Sequence, residues 1–209
     1  MNSINSFTRK DVELINVKTV CKSYYRIDQY QLKHRLFKGG WSPDIYRDVY
    51  ERGSAIVCLP YDPVLDRVIL IEQFRTGAYA EGAEDCWLVE AVAGIIEVGE
   101  KLEDVVHREA AEEAGCALHD LKYVGDYYAT PGGCSEKLTV YIGHTDSEGI
   151  GGIHGVDEED EDIRVFSTSF DEAMDLLDKG KISNIALVVA LQWLALNKQD
   201  LRKSWLGIK

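Results

Sequence analysis

Positive charge is in short supply in this sequence: 23 lysines and arginines stand against 36 aspartates and glutamates, a formal net charge of −13. A domain that grips nucleic acid by its phosphates needs the opposite balance, so no nucleic-acid partner is expected. An acidic protein can still bind a small anion when a metal cation bridges the two. Paired cysteine is missing too. Cys21, Cys58, Cys86, Cys116 and Cys134 are scattered, odd in number and contain no C-x-x-C pair. That argues against a disulfide framework or zinc site and for a reducing compartment. The opening "MNSINSFTRKDVEL" has no apolar signal core, and the longest apolar run, "IALVVALQWLAL", is broken by Gln192 and too short to span a bilayer. A soluble, cytoplasmic protein without membrane contact is expected. Repeats and low-complexity tracts are absent, as are G-x-G-x-x-G and G-x-x-x-x-G-K-[ST], the common nucleotide fingerprints.

What is present begins with 45% hydrophobic residues in 209, enough for one substantial core or one core with a small extra layer. The first half is strand-like. "YYRIDQYQLKHRLF" alternates in part and ends at a Gly39-Gly40 turn, and "DIYRDVYERGSAIVCLPYD" and "DRVILIEQF" continue the pattern. Within them Val57–Leu59 and Val68–Ile71 are continuous apolar runs, as in strands buried on both faces. Leu102–Ala114 predicts a helix closed by Gly115. "LKYVGDYYAT", "KLTVYIGHT" and "IRVFST" read as further strands. Ser169, with Glu172 three residues on, predicts a capped helix over "FDEAMDLLDKG", and Ser183 predicts a cap for "NIALVVALQWLALNKQ". Strands, helix, strands, helices is the order of a mixed α+β layered fold.

The first helix is anomalous. On a wheel of about 100° per residue, Leu102, Val105 and Val106 share one sector of about 120° with Glu109, Glu112 and Glu113. Where core residues should continue, the chain places carboxylates. Glu109 and Glu113 are like charges at i, i+4, which costs about 0.2–0.5 kcal/mol. All three sit toward the helix C-terminus, where the dipole adds a penalty of roughly 0.3–1 kcal/mol each. A solvated acidic face would lie opposite the apolar stripe, not on it. The pattern implies a cation, and oxygen-only donors suit Mg²⁺ or Mn²⁺ rather than Zn²⁺. Mg²⁺ bound through one or two carboxylates plus substrate phosphates points to diphosphate chemistry. Gly94 and Gly99, flanking "IIEV", serve either as a plain turn or as a close backbone approach to metal or phosphate.

Gly94, five residues, Glu100, seven residues, then Arg108-Glu109-Ala110-Ala111-Glu112-Glu113-Ala114-Gly115-Cys116 resembles the Nudix box in every fixed position, with Cys116 in the final slot that is usually aliphatic. The resemblance implies an α/β/α sandwich around a mixed β-sheet and hydrolysis of a nucleoside diphosphate linked to another moiety. It implies metal held by Glu109 and Glu113, with Glu112 a further ligand or supporting group and the carbonyl of Ala93 contributing. Arg108 would orient a box glutamate, and Glu100 would brace the loop–helix junction alongside Gly94 and Gly115. Pro131 in "TPGGCSEK", with "HRLF", "ERG", "IEQFR" and "GIHGVDEEDEDIRV", is similar to the bacterial ADP-ribose pyrophosphatase branch of that family. That branch implies ADP-ribose as substrate and AMP and ribose 5-phosphate as products. It also implies a homodimer whose active sites are shared, through an N-terminal β segment (residues 1–52) exchanged onto a catalytic domain (residues 53–209). Carried over on the same basis are Tyr24 and Arg47 around the adenine, Arg75 for the phosphates and Glu136 for the terminal ribose. The alternatives are a Nudix pyrophosphatase for other nucleoside diphosphate sugars or dinucleotides, and a non-catalytic ADP-ribose sensor.

"DEEDED", residues 157–162, lies between the glycine-rich, hinge-like "EGIGGIHG" and the strand "IRVF". Such a loop can fold over a bound metal–substrate complex. Box carboxylates occupied by metal cannot also take a proton, so the general base must come from elsewhere. The resemblance places it in this loop, at Glu159 or Glu161, with Glu159 preferred. His34, His107, His119, His144 and His154 are the rival bases; His107 lies on the helix face away from the glutamates.

Overall fold

The architecture follows from which apolar runs find partners. The structure, a computed structural model, describes residues 6–156 and 160–208. Contacts divide it into two units: residues 1–53 with Thr130–Glu136, and Ser54–Ala129 with Lys137–Lys209.

The first unit is a three-stranded antiparallel sheet of β1 (Val12–Lys22), β2 (Arg26–His34) and β3 (Ile45–Glu51), in that order. Thr130–Glu136 joins it through a bridge between Tyr50 and Cys134. All eleven residues of β1 are exposed, Leu14, Val17 and Val20 among them. Gly39 and Gly40 make the tight turn after β2 with φ of 91° and 78°.

The second unit is built on eight strands. They are β4 (Ala55–Asp62), β5 (Arg67–Phe74), β6 (Trp87–Glu90), β7 (Val92–Ile95), β8 (Asp120–Tyr127), β9 (Leu138–His144), β10 (Gly151–His154) and β11 (Ile163–Ser169). Their order is β10-β11-β5-β4-β9-β8, with β6 on β5 and β7 on β4. Pairings are antiparallel except β4 with β9, so the sheet is mixed. Helix α1 (Thr76–Glu81) follows β5, α2 (Leu102–Ala114) follows β7, and α3 (Phe170–Asp178) and α4 (Ile185–Leu206) end the chain.

Strand alternation sorts the core into two layers. Val57, Leu59 and Tyr61 of β4 and Val68 and Leu70 of β5 pack with Phe170, Ala173, Leu187, Leu191 and Leu194 of α3 and α4. Residues of opposite parity, Ile56 and Cys58, Ile69 and Ile71, meet Val105, Val106, Ala110 and Ala114 of α2. The result is helices, sheet, helix: an α/β/α sandwich. The Ser169–Glu172 capping box is present. The cap of α4 differs from the expectation. Asn184, not Ser183, precedes the first helical residue, and its side-chain oxygen accepts from the Leu187 N–H at 3.0 Å. The segment expected to be a glycine hinge instead supplies β10, because its backbone pairs with β11 from Gly151–Phe166 to His154–Ile163. Among the described residues no helix is long and apolar enough to cross a membrane.

Candidate active site

The box spans β7, the following loop and α2. Glu100 closes the loop by accepting from the Glu97 N–H at 2.8 Å. Gly115 ends α2 at φ 61°, with the Cys116 N–H reaching back to the Ala110 carbonyl at 2.8 Å. This left-handed cap satisfies carbonyls that would otherwise be orphaned.

Between these ends Glu109 and Glu113 turn inward, whereas Glu112, expected on the same stripe, is exposed because it lies at the edge of that sector and pairs with Arg108 instead. Glu113 is only 4% exposed, and its Oε2 accepts from the Ala93 N–H at 2.9 Å. Burial pushes its pKa up to about 8; the Ala93 hydrogen bond opposes that rise, and the charges of Glu109 and Glu161 add to it. Glu109 is also largely covered, and burial pushes it up to about 7 against the pull of Arg108. A carboxylate in a low-dielectric pocket is costly to ionise unless a cation arrives. Arg108 supplies part of that countercharge: its Nη1 lies 2.9 Å from Glu109 Oε1 and 3.0 Å from Glu112 Oε2, and its Nη2 3.9 Å from Glu100.

Gly94 explains itself here. A Cβ built on it would lie 1.9 Å from Glu109 Oε1. The glycine is needed for close approach, since the crowding atom is the carboxylate itself. That atom ends a flexible side chain, so Gly94→Ala should fold with nearly unchanged thermal stability while displacing Glu109. An activity loss of about a hundredfold is expected from such misplacement. Kinetics beside a melting curve test it: equal loss of both would make Gly94 a folding residue only.

Arg75 leaves the end of β5 and chelates Glu90, Nε to Oε1 at 3.1 Å and Nη2 to Oε2 at 2.6 Å. Glu90 is 3% exposed. Desolvation works against the Arg75 charge, but the Glu90 pair outweighs it, and Glu113 and Glu161 also add to the favourable field. Sequence reasoning missed Glu90. Its only signal was one acid inside the apolar "WLVEAVAG". Glu161 Oε2 accepts from the Val156 N–H at 3.1 Å, and its charge is felt by both Glu109 and Glu113. Glu159 lies outside the described residues. His107, on α2, is exposed and hydrogen-bonded to none of these groups.

Tyr24, Arg47 and Glu136 belong to the first unit. Tyr24 is 88% exposed and meets Tyr25 edge-on. Arg47 Nη1 donates to the Tyr46 carbonyl at 2.7 Å. Glu136 is held by Arg52 at 2.5 Å, a partner that sequence reasoning also missed.

Among the described residues no three His, Cys, Asp or Glu side chains already converge as a metal cage. Arg108 holds Glu109 and Glu112 to one side, while Glu113 turns to β7. The donor set nevertheless fits a hard divalent cation: oxygen atoms only, two carboxylates raised by burial, and a glycine where any Cβ would block Glu109.

The chain belongs to the Nudix family: the NUDIX domain matches residues 51–191. Its relatives include the ADP-ribose pyrophosphatase of Escherichia coli (strain K12), 46% identical over 200 residues, which cover 96% of this chain and 95% of that protein. The ADP-ribose pyrophosphatase of Haemophilus influenzae is 39% identical over 207 residues, 98% and 95% of the two chains. The GDP-mannose pyrophosphatase of Pectobacterium atrosepticum is 31% identical over 181 residues, 87% and 92%. A crystal structure titled as an ADP compounds hydrolase superposes with a TM-score of 0.70 at 22% identity, covering 94% of this chain and all of that one; it supports the fold.

Proposed function

We propose that this chain is a divalent-metal-dependent hydrolase that splits the diphosphate of ADP-ribose into AMP and ribose 5-phosphate, using Mg²⁺ or Mn²⁺. The observation that carries the reading is the buried Glu109–Glu113 pair, set against Gly94 and β7 and raised toward neutrality by burial. Substrate choice rests on the relatives at 46% and 39% identity.

Glu109 and Glu113 would hold the metal, with Glu112 and the Ala93 carbonyl completing the donors. A bound divalent cation would acidify the attacking water and offset charge on the diphosphate. Arg108 keeps Glu109 and Glu112 oriented. Arg75, paired with Glu90, would face the substrate phosphates. The attacking water gives its proton to Glu161 or Glu159 as its oxygen bonds to phosphorus and the bridging P–O bond breaks. Tyr24 and Arg47 would flank the adenine and Glu136 the terminal ribose. The exposed apolar residues of β1 support a homodimer in which the N-terminal sheet is exchanged between subunits and the active sites are shared. Free, scattered cysteines suit a cytoplasmic location.

The test is incubation with ADP-ribose and Mg²⁺ and chromatography of the products, beside sedimentation to count subunits. AMP and ribose 5-phosphate, abolished by a chelator, are expected. Faster turnover of GDP-mannose or another nucleotide sugar would favour the second reading, which the 31%-identical relative supports. Sedimentation as a single chain would remove the exchanged dimer.

A further inference from the structure

Among the described residues one buried side-chain polar atom has no hydrogen-bond partner: Nε2 of Gln73, in a residue 7% exposed. A buried donor left unpaired is destabilising, because it gives up its hydrogen bond to water and gains none in return. Its position argues against an accident of packing. Alternation along β5 puts Gln73 on the same face as Ile69 and Ile71, which pack against Ala110 and Ala114 of the box helix. Ile71 is paired with Glu90 and Gln73 with Leu88, so paired residues set Gln73 diagonally beside Glu90 on that face. Both Glu90 oxygens are already taken by Arg75. The Arg75 head, in turn, lies within the fields of Glu113 and Glu161. The amide therefore stands beside the Arg75–Glu90 pair with the Glu90 oxygens already taken, and its N–H must find an oxygen that the described residues do not supply.

We propose that Gln73 donates from Nε2 to a phosphoryl oxygen of the substrate's diphosphate, next to Arg75, and so selects for a diphosphate over a monophosphate. The inference rests on the reading of the site as one for a nucleoside diphosphate. A neutral amide suits this position. It adds a donor without a further charge beside the Arg75–Glu90 pair, and it does not compete with the carboxylates for the cation.

The experiment uses Gln73→Met, which keeps the length and removes the donor, and Gln73→Glu, which keeps the shape and replaces the donor with a charge. Melting temperatures are measured alone, with ADP plus Mg²⁺, and with AMP plus Mg²⁺, alongside steady-state kinetics. Gln73→Met should melt at or above the wild-type temperature, because an orphaned donor is gone. It should lose most of the ADP-induced stabilisation, keep that from AMP, and lose about tenfold to a hundredfold in kcat/KM. Gln73→Glu should lose the ADP effect more completely, and it carries the test if the methionine variant fails to fold. Wild-type ADP stabilisation and kcat/KM in a folded variant would overturn the inference. So would equal loss of the AMP and ADP effects, which marks a general distortion. The substrate reading is judged separately on the wild-type protein. A wild type inert toward ADP-ribose but stabilised by ADP, with that effect lost in Gln73→Met, would sink the substrate reading and support the role of Gln73.

Discussion

Glu113→Gln is expected to lower kcat by about a thousandfold or more, because a ligand to the transition-state cation is worth several kcal/mol. The same substitution should leave the fold intact and raise metal-free stability near pH 8. The amide oxygen can still accept from the Ala93 N–H, and a buried charge with no full partner is removed. Activity and stability thus move in opposite directions, which separates a functional carboxylate from a packing residue. The loop acids should behave differently. Glu161→Gln or Glu159→Gln should depress kcat far more than cation affinity, since a base acts on the water and not on the metal. Kinetics with a metal titration for all three variants read this out. Full activity in Glu113→Gln would take that residue out of the site, and unaltered kcat in both loop variants would move the base elsewhere.

The second large effect is the pH dependence of metal-free stability. Glu113 and Glu109 titrate near 8 and 7 in the folded chain, against an ordinary value of 4.5. Below about pH 4.5 both states are protonated and the pair costs nothing. Between that point and about 8 the folded state holds protons that the unfolded chain has released, so stability falls as pH rises. At about 1.36 kcal/mol per pKa unit, Glu113 alone accounts for a loss of about 5 kcal/mol across that range, or roughly 10–20 °C in melting temperature for a chain of this size. Asp62 and Asp66 act oppositely. Hydrogen bonds from Leu65 and Ser147, and from Lys198 and Tyr61, overcome burial and hold their pKa values below normal, so their contribution is lost as pH falls. The difference between wild type and Glu113→Gln isolates the site. It should widen from pH 5 to 8 without metal and shrink when Mg²⁺ is added, because the cation replaces the proton. A difference that is flat with pH would mean that Glu113 is hydrated in the folded state.

The sequence disclosed this site unevenly, for physical reasons. The box helix was legible to the residue because its acids interrupt an apolar stripe and a glycine follows. The central strands were legible because Val, Ile and Leu run without a break where both faces are covered. By contrast β1 carries no burial pattern, and it went unread as a strand. Gly151–His154 looked like a hinge because pairing with β11 is decided by a distant partner, not by local preference. Glu90 and Gln73 were invisible for a related reason. Each is one polar residue in a short apolar strand, and only cross-strand register reveals which face it joins.

The parallel pairing of β4 with β9 has a temporal side. Ala55 of β4 sits opposite Leu138 of β9, and the whole box, from Gly94 to Cys116, is threaded between them. Closing so long a connection adds little to the thermodynamic cost, which grows only logarithmically with length, but non-local pairing of this kind slows assembly. A nascent chain leaving the ribosome therefore carries its glutamates well before it has the strand that completes the central sheet. During synthesis the unpaired edge of β4, apolar on both faces, is the part of the polypeptide most in need of shielding from its neighbours.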